Sequence, residues 1–322
     1  MPLIRESNYR PMFLFRRGHL NTILSNMRSV PRPDYKRHRL ELDDGDFLDL
    51  DLSMRGSKTL LIASHGLEGS ADRDYMRSIV NFANARHWDA IAWNMRGCSG
   101  EVNRLYSSYH SGKTEDLQSV IDYAIDHYDH DEIYLIGYSL GGNVTLKYLG
   151  ERGEDLHPKI KSGAALSVPV ELHESAHKLA SRENWIYMNR FIRKFRPKLR
   201  LKAAMFPEMG IKEEDIRGLR NFKDFDELYT APAHGYASAE DYWSKASSIY
   251  VLENIAVPTL LINSLDDPFL AATSFPYKEV ETNDKFFLET PSFGGHVGFS
   301  IDLFERGNFW YEKRMFEFFS EI

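Results

Sequence analysis

Cysteine is almost absent from this sequence, because Cys98 is the only one in 322 residues. An internal disulfide is therefore impossible, and a zinc site built from cysteines is not expected. The longest stretch without a charged residue, Ile133 to Leu146, is too short and too rich in glycine and polar residues to span a bilayer. The arginines near the N-terminus have no apolar segment between them, so no signal peptide is expected. These features predict a cytoplasmic protein.

An excess of positive charge is also missing. Lys and Arg total 40 against 47 for Asp and Glu, which gives a formal net charge of −7. A nucleic-acid partner is therefore not expected. Hydrophobic residues make up 43% and charged residues 27%, which is ordinary for a folded chain and argues against disorder. No repeat is visible, and the length allows one large domain or two small ones.

Short apolar runs alternate along the chain with longer helical patterns. Most runs are continuous, as in strands buried on both faces of a parallel sheet covered by helices. The alternation predicts an α/β fold with a doubly wound, mostly parallel sheet. The predicted strands are a half-exposed one at Phe47–Leu52 and buried ones at Thr59–Ser64, Ala90–Asn94, Glu132–Gly137, Gly163–Val168, Pro258–Asn263 and Lys285–Thr290. The predicted helices are Arg73–Arg86, Thr114–Tyr128, Leu140–Glu151, Phe269–Tyr277 and Glu305–Phe319.

Two segments depart from this alternation. Residues 1–40 are basic and aromatic with several prolines, and we expect an irregular arm over the domain with a short helix near His19–Met27. Residues 170–244 contain no convincing strand and are too long for a simple connection. We interpret them as a helical cap inserted into a core formed by residues 41–169 and 245–322.

A candidate nucleophile lies in Gly137-Tyr138-Ser139-Leu140-Gly141, which has the form G-x-S-x-G. A buried strand is predicted directly before it and a helix directly after it, as a nucleophile elbow requires. The tight bend forces the serine into a strained backbone conformation, and side chains at Gly137 and Gly141 would collide. We therefore expect the Ser139 hydroxyl to point outward at a helix N-terminus.

A serine nucleophile needs a base, and the base needs an orienting carboxylate. Asp266 and Asp267 follow the predicted strand Pro258–Asn263, and Asp267 is favoured because Pro268 fixes the turn beside it. Asp266 is then a capping or supporting residue. His296 follows the last predicted strand and two glycines, so it is the expected base. The chain order of serine, acid and histidine agrees with this fold class.

The loop after the strand Thr59–Ser64 contains His65-Gly66-Leu67-Glu68-Gly69. A glycine-bearing loop at this place can turn a backbone N–H toward the serine. We expect the amides of Leu67 and Leu140 to form the oxyanion hole. His65 is interpreted as a residue that shapes the loop.

Taken together, these motifs resemble the YheT-like branch of the α/β-hydrolase superfamily, from about Tyr9 to the C-terminus. One departure is Asn21, where the family more often has glutamine. The motifs in this sequence are His19-Leu20-Asn21-Thr22-Ile23, His65-Gly66-Leu67-Glu68-Gly69-Ser70, Asn94-Met95-Arg96-Gly97-Cys98-Ser99-Gly100-Glu101 with Asn103-Arg104 and Tyr109-His110-Ser111-Gly112, Gly137–Asn143, Asp266-Asp267-Pro268-Phe269 and Gly294-Gly295-His296.

The resemblance implies an α/β-hydrolase fold and a triad of Ser139, Asp267 and His296. It also implies hydrolysis of carboxylic esters with short to medium or lipid-like acyl chains, and neither a cofactor nor a metal. Thioesterase or amidase chemistry, or ligand binding without catalysis, remain alternatives. Arg96 or Arg104 could contact an anionic substrate, although pinning their loop is the favoured role.

The predicted cap carries an amphipathic helical pattern with a basic run from Arg190 to Lys202. Its apolar residues recur at helical spacing at Trp185, Met188, Ile192 and Phe195. The favoured interpretation is a cap helix with a buried apolar face and a solvated basic face. The alternative is a lid whose basic rim makes peripheral contact with anionic lipid.

Overall fold

A nine-stranded sheet runs through the molecule in the computed structural model, which describes residues 2–321. All neighbouring strands are parallel except near one edge, where the strand Phe47–Ser53 pairs antiparallel with both of its neighbours. This arrangement confirms the predicted doubly wound, mostly parallel sheet. The strands of the described chain are β1 (Leu3–Ile4), β2 (Lys36–Glu41), β3 (Phe47–Ser53), β4 (Thr59–Ser64), β5 (Asp89–Asn94), β6 (Glu132–Tyr138), β7 (Ile160–Leu166), β8 (Thr259–Ile262) and β9 (Phe286–Glu289), in the spatial order β1-β9-β8-β7-β6-β4-β5-β3-β2.

Helices cover both faces of this sheet. On one face α3 (Thr114–His127) and α4 (Leu140–Arg152) pack against the leucines of β3 and the apolar side chains of β4 and β6. On the other face α2 (Asp74–Asn84) and α12 (Trp310–Ser320) pack against the alternate side chains of β4 and β6. The helices are α1 (Gly18–Ser25), α2 (Asp74–Asn84), α3 (Thr114–His127), α4 (Leu140–Arg152), α5 (Leu172–Leu179), α6 (Trp185–Met205), α7 (Glu213–Gly218), α8 (Phe222–Phe225), α9 (Ala231–Ala233), α10 (Ala239–Ala246), α11 (Tyr277–Thr282) and α12 (Trp310–Ser320).

The expectation of a half-exposed strand at Phe47–Leu52 was wrong, since every residue of β3 is buried. Its polar positions are covered by the neighbouring strand β2. Arg39 binds both oxygens of Asp49, and Arg37 binds both oxygens of Asp51, each directly across the antiparallel pair. Bidentate cross-strand ion pairs thus satisfy carboxylates that alternate with core leucines.

The first forty residues are more regular than expected. They supply a strand to each edge of the sheet, because β1 pairs parallel with β9 and β2 pairs antiparallel with β3. The short helix expected near His19–Met27 is present as α1. The sequence of β2 is mostly basic and polar, so no apolar pattern marks it as a strand.

Two predicted helices also differ from the structure. Phe269–Tyr277 contains only a short 3-10 turn at Ala272–Ser274, and α11 begins where this prediction ends. Pro268 and Pro276 bracket the segment and restrict the residues before them. The last helix begins at Trp310 and not at Glu305, because Glu312 accepts a hydrogen bond from the N–H of Phe309 and caps the helix there.

The segment 170–244 contains helices α5 to α9 and the start of α10, and no strand of the described chain lies between β7 and β8. Its own apolar core forms around α6, where Met188, Ile192, Phe195 and Leu199 are buried at helical spacing. Trp185, expected on the same face, is 60% exposed. The division of the chain into arm, core and cap stays a prediction.

Candidate active site

Ser139 lies at the sharp turn between β6 and α4. Its backbone has φ +51° and ψ −120°, a strained conformation for a residue with a side chain. A Cβ on Gly137 would lie 2.6 Å from the Cα of Gly142, and one on Gly141 would lie 2.5 Å from the carbonyl oxygen of Ser64. Only glycine therefore allows the helix to pack this closely behind the turn.

The three side chains expected to act together lie in one hydrogen-bonded row. His296 Nε2 is 2.9 Å from Ser139 Oγ, and His296 Nδ1 is 2.9 and 3.2 Å from the two carboxylate oxygens of Asp267. The Asp267 side chain is fully buried, and that of His296 is 10% exposed. Serine, histidine and aspartate thus meet at the carboxyl edge of the sheet, although they are far apart in the sequence.

The neighbouring Asp266 points elsewhere. Its Oδ1 accepts a hydrogen bond of 2.9 Å from the N–H of Gly295, in the loop that carries His296. Burial raises the pKa of Asp266 above its ordinary value. The geometry therefore separates the two aspartates: Asp267 contacts the imidazole, and Asp266 holds the backbone of the histidine loop.

Helix α1 also holds the histidine loop, a role that the sequence did not reveal. Thr22 Oγ1 accepts a hydrogen bond of 2.8 Å from the N–H of His296, and it donates one of 2.7 Å to the carbonyl of Gly18. Asn21 Oδ1 accepts from the N–H of Ser300 at 3.1 Å. A Cβ on Gly295 would lie 2.6 Å from Thr22 Oγ1, so only glycine fits there.

Phe269 lies over the imidazole of His296, with ring centroids 4.1 Å apart and planes inclined by 26°. Tyr187 of α6 packs edge-on against Phe269 at 4.8 Å. The sequence had placed Phe269 at the start of a helix and gave it no role. Since the ring covers one face of the imidazole, it restricts the motion of His296 and shields it from water.

The predicted oxyanion loop is held on either side of Leu67. The N–H of Gly66 donates to the hydroxyl of Tyr75 at 3.0 Å, and the N–H of Glu68 donates to the hydroxyl of Tyr109 at 3.0 Å. Within residues 2–321 the N–H of Leu67 has no hydrogen-bond partner, and neither has that of Leu140, the first residue of α4. Two backbone donors beside the serine are thus left free.

His65 shapes this loop, as expected. Its Nε2 accepts a hydrogen bond from the N–H of Met95 at 3.1 Å, so the proton lies on Nδ1, which donates to the carbonyl of Gly66 at 2.8 Å. Burial lowers the pKa of His65 to about 4, and the ring is neutral at physiological pH. In the described part of the chain it makes no hydrogen bond with Ser139.

The two arginines of the following loop are engaged by carboxylates. Arg96 is buried and binds Asp116 with two hydrogen bonds of 2.7 and 2.9 Å, and it also contacts Asp44 and Asp46. Arg104 forms an ion pair with Glu41. Both side chains pin their loop, which was the favoured interpretation.

A cavity of about 160 Å³ extends from Ser139 and His296 to the helices of residues 170–244. Much of its wall is apolar, and burial lowers the pKa of His110 on this wall well below its ordinary value. Asp226 is a buried carboxyl of the cavity wall, and it accepts a hydrogen bond from the indole N–H of Trp243 at 2.8 Å. The apolar residues that the cap contributes include Leu179, Phe191, Phe195, Leu199, Phe225 and Tyr229.

The basic face of α6 is not simply solvated, which corrects the favoured interpretation. Lys194 Nζ donates to the carbonyl of Glu68 at 3.0 Å, and Lys198 Nζ lies 2.9 Å from the Glu68 carboxylate. Lys202 is buried and donates to the carbonyls of Asn103 and Leu105. Burial lowers the pKa of Lys194 and of Lys202 to about 8. Three lysines spaced by four residues thus tie α6 to two loops at the carboxyl edge of the sheet.

No helix among residues 2–321 combines the length and the apolar character that a membrane crossing requires.

Comparisons with known proteins agree with this fold. A family model described as the alpha/beta hydrolase fold matches residues 59–299. The solved structure of the esterase Pf2001 from Pyrococcus furiosus superimposes with a TM-score of 0.61 at 18% identity, covering 91% of this chain and 97% of that one.

Relatives of known name extend over most of the sequence. The monoacylglycerol lipase of Saccharomyces cerevisiae is 28% identical over 84% of this chain and 61% of its own length. YheT of Escherichia coli, named as a candidate esterase, is 33% identical over 96% of this chain and 92% of its own. Since the family model and the YheT alignment both span most of the residues, the chain belongs to the YheT-like branch of the α/β-hydrolase superfamily.

Proposed function

We propose that this protein is a serine hydrolase that cleaves carboxylic esters through an acyl-enzyme. The observation that carries the proposal is the continuous row of hydrogen bonds from Ser139 through His296 to Asp267. Relatives named as an esterase, a monoacylglycerol lipase and a phospholipase support a hydrolase that acts on esters or lipids.

In the proposed mechanism Ser139 Oγ attacks the ester carbonyl while His296 Nε2 removes its proton. Asp267 accepts the hydrogen bond from Nδ1–H, which fixes the tautomer of the ring and stabilises the imidazolium. The free N–H groups of Leu67 and Leu140 donate to the oxyanion, a contribution of about 3–4 kcal/mol for each donor in comparable sites. His296 then protonates the leaving alcohol.

Deacylation reverses these roles. A water molecule loses a proton to His296 as it attacks the acyl-enzyme, and Ser139 leaves with the proton that His296 returns. Phe269 stacks on the imidazole, so we expect the ring to make only small movements between its two partners. No further group is needed to balance the reaction.

The cavity supports an apolar acyl group as the part of the substrate that is recognised. Phenylalanine and leucine side chains of the cap line the space above Ser139, and such surfaces bind alkyl chains by excluding water. The helices of residues 170–244 cover this space, and its volume of about 160 Å³ limits the size of the acyl group that fits. We therefore infer a preference for short to medium acyl chains.

The test compares p-nitrophenyl esters of graded acyl length in wild type, Ser139→Ala and Ser175→Ala. Ser139→Ala should lower kcat by roughly 10⁴–10⁶-fold, because the nucleophile is removed. Ser175→Ala is the matched control, since Ser175 also lines the cavity but hydrogen-bonds to Ser274 and not to His296. Retained turnover in Ser139→Ala would refute the nucleophile.

Thioester and amide substrates with the same acyl group measure which type of acyl bond the protein cleaves best. Higher kcat/KM on esters than on thioesters and amides of the same acyl group supports the proposal. Labelling by a fluorophosphonate probe provides a second measurement. Wild type should react covalently at Ser139, whereas a passive binding protein would remain unlabelled.

A further inference from the structure

Two histidines and a glutamate converge outside the substrate cavity, between the first and last helices of the cap. His173 and His177 are one turn apart on α5, and Glu240 lies in the first turn of α10. His173 Nε2 is 2.7 Å from Glu240 Oε2, and one ligand atom from each of the three residues lies within 4.8 Å of the others. None of the three lines the cavity, so the proposed ester hydrolysis does not use them.

We propose that His173, His177 and Glu240 form a binding site for a divalent transition metal ion, with zinc as the best match. Residues four apart on a helix present their side chains on the same side, which brings the two imidazoles together. Two imidazole nitrogens and one carboxylate oxygen form a ligand set that zinc takes in proteins, with water in the fourth position. The sequence had suggested no role for either histidine and no metal.

The surrounding contacts are those that support metal ligands. His173 Nδ1 lies 3.3 Å from Glu174 Oε1, so the nitrogen away from the site can donate to a carboxylate. Glu240 Oε1 is held by Lys223 Nζ at 2.9 Å, which leaves Oε2 for the ion. Such outer partners orient metal ligands and keep them in the binding form.

The geometry requires only small adjustments to hold an ion. Zinc bonds of about 2.0–2.2 Å place neighbouring ligand atoms roughly 3.3 Å apart. The His173–Glu240 contact would open slightly, and His177 would turn inward. His177 is exposed, and its ring makes no hydrogen bond with any residue in the described part of the chain. Trp243 packs edge-on against both imidazoles at 5.8 Å and limits how far they can swing away.

A bound ion would join two walls of the substrate cavity. Helix α5 contributes Leu172 and Ala176 to the cavity, and α10 contributes Tyr242 and Trp243. The ion would hold the outer sides of these helices together without contacting the substrate. The inferred role is structural, so its test does not depend on ester hydrolysis.

The test measures zinc binding to the full chain by isothermal titration calorimetry after removal of metal with a chelator. Wild type should bind one zinc ion at this site, and the melting temperature should rise in its presence because the ion binds the folded state. His177→Gln should weaken this binding at least roughly tenfold, and the double variant His173→Gln/His177→Gln should abolish it. His127→Gln is the matched control, as His127 is an exposed helical histidine outside the cluster.

Absence of zinc binding by wild type would overturn the proposal. The same conclusion follows if the double variant binds zinc as tightly as wild type, because the ion would then lie elsewhere, for example at the neighbouring rings of His110 and His234. Glu240→Gln provides an independent variant that leaves α5 unchanged. It should also weaken binding at least roughly tenfold, and metal-free melting curves of all variants establish that each one folds.

Discussion

At the scale of single residues, Asp266 and Asp267 are adjacent in the chain but contact different parts of the same loop. Asp267 reaches the imidazole of His296, whereas Asp266 reaches the N–H of Gly295. The sequence could favour one over the other only through the proline that follows. The side chains separate because successive residues of a turn point in different directions, which a motif does not encode.

This separation makes the two aspartates a matched pair for mutation. Asp267→Asn should lower kcat by about 10³–10⁴-fold, because the amide cannot hold the ring in the required tautomer or stabilise its charge. Asp266→Asn should lower kcat less than tenfold, since its oxygen can still accept the N–H of Gly295. Steady-state kinetics on one ester measures both, and equal losses would contradict the assignment.

Asp226 predicts a pH dependence of stability. Burial raises its pKa to about 7, so the folded protein keeps a proton that the unfolded chain loses near pH 4. Its contribution to the free energy of unfolding therefore becomes unfavourable as the pH rises from about 4 to 7 and is constant above that. Asp226→Asn should increase the free energy of unfolding by about 2–4 kcal/mol at pH 8 and change it little at pH 4.

Urea denaturation at both pH values measures this effect. Glu227→Gln is the control, since it removes the neighbouring carboxyl at an exposed position. Asp226→Asn keeps an oxygen that can accept the indole N–H of Trp243, so the hydrogen bond is retained. A stability gain of the same size at pH 4 would show that ionisation of Asp226 is not the cause.

At the scale of elements, the strands that carry the site were predictable and the edges of the sheet were not. β4, β6 and β8 are continuous apolar runs because both of their faces are buried, and this produces a clear pattern. β2 is defined by arginines that pair with the aspartates of β3, a relation visible only after the strands are aligned. β1 has only two residues and no pattern at all.

Helix α1 contacts the loop of His296, although in the sequence this helix stands out only as the short motif His19-Leu20-Asn21-Thr22-Ile23. Thr22 lies 274 positions from His296, so no local pattern links them. Thr22→Val should leave the N–H of His296 without its partner and lower the free energy of unfolding by about 1–3 kcal/mol. We expect a lower kcat with a smaller change in KM, because the imidazole is less well placed.

Thr22→Ser is the matched control, since serine keeps the hydroxyl and should restore most of the activity. The rate of fluorophosphonate labelling adds a measurement of the serine itself and should fall in Thr22→Val. If Thr22→Val and Thr22→Ser have the same kcat, the hydroxyl of Thr22 has no positioning role.

At the scale of the whole molecule, several exposed apolar side chains lie on segments that contact one another. Trp185 and Ile186 begin α6, whose Tyr187 stacks on His19 of α1. Phe13, just before α1, is 78% exposed. Arg190 and Arg193 are exposed on the same helix as Trp185. Apolar and cationic groups together are typical of peripheral contact with anionic lipid, which remains a proposal.

Vesicle binding tests this proposal. Wild type should bind vesicles that contain phosphatidylglycerol more strongly than neutral ones, and added salt should weaken the binding. Arg190→Glu/Arg193→Glu should reduce it at least roughly tenfold, at about 1 kcal/mol for each charge near the surface. Lys159→Glu/Lys161→Glu, at the amino end of β7, makes the same charge change elsewhere and should have no effect. Equal binding by the two double variants would end the lipid proposal.

The parts of the candidate site that depend on short sequence motifs and on strand order could be predicted. Ser139 lies in a strand–turn–helix motif, and the positions of Asp267 and His296 follow from the order of strands. Phe269 and the lysines of α6 were missed because their roles depend on contacts between segments that approach only in the fold. The spacing of residues along the chain does not predict such contacts.

The ties between α6 and Glu68 make two segments that are far apart in the sequence depend on each other. Lys194 and Lys198 both bind Glu68, and the N–H of Leu67 precedes that residue in the loop beside Ser139. Any movement of α6 away from this loop breaks both ties and leaves the loop with fewer contacts, among them those of Tyr75 and Tyr109. The position of the proposed oxyanion donor then depends on the contacts that remain.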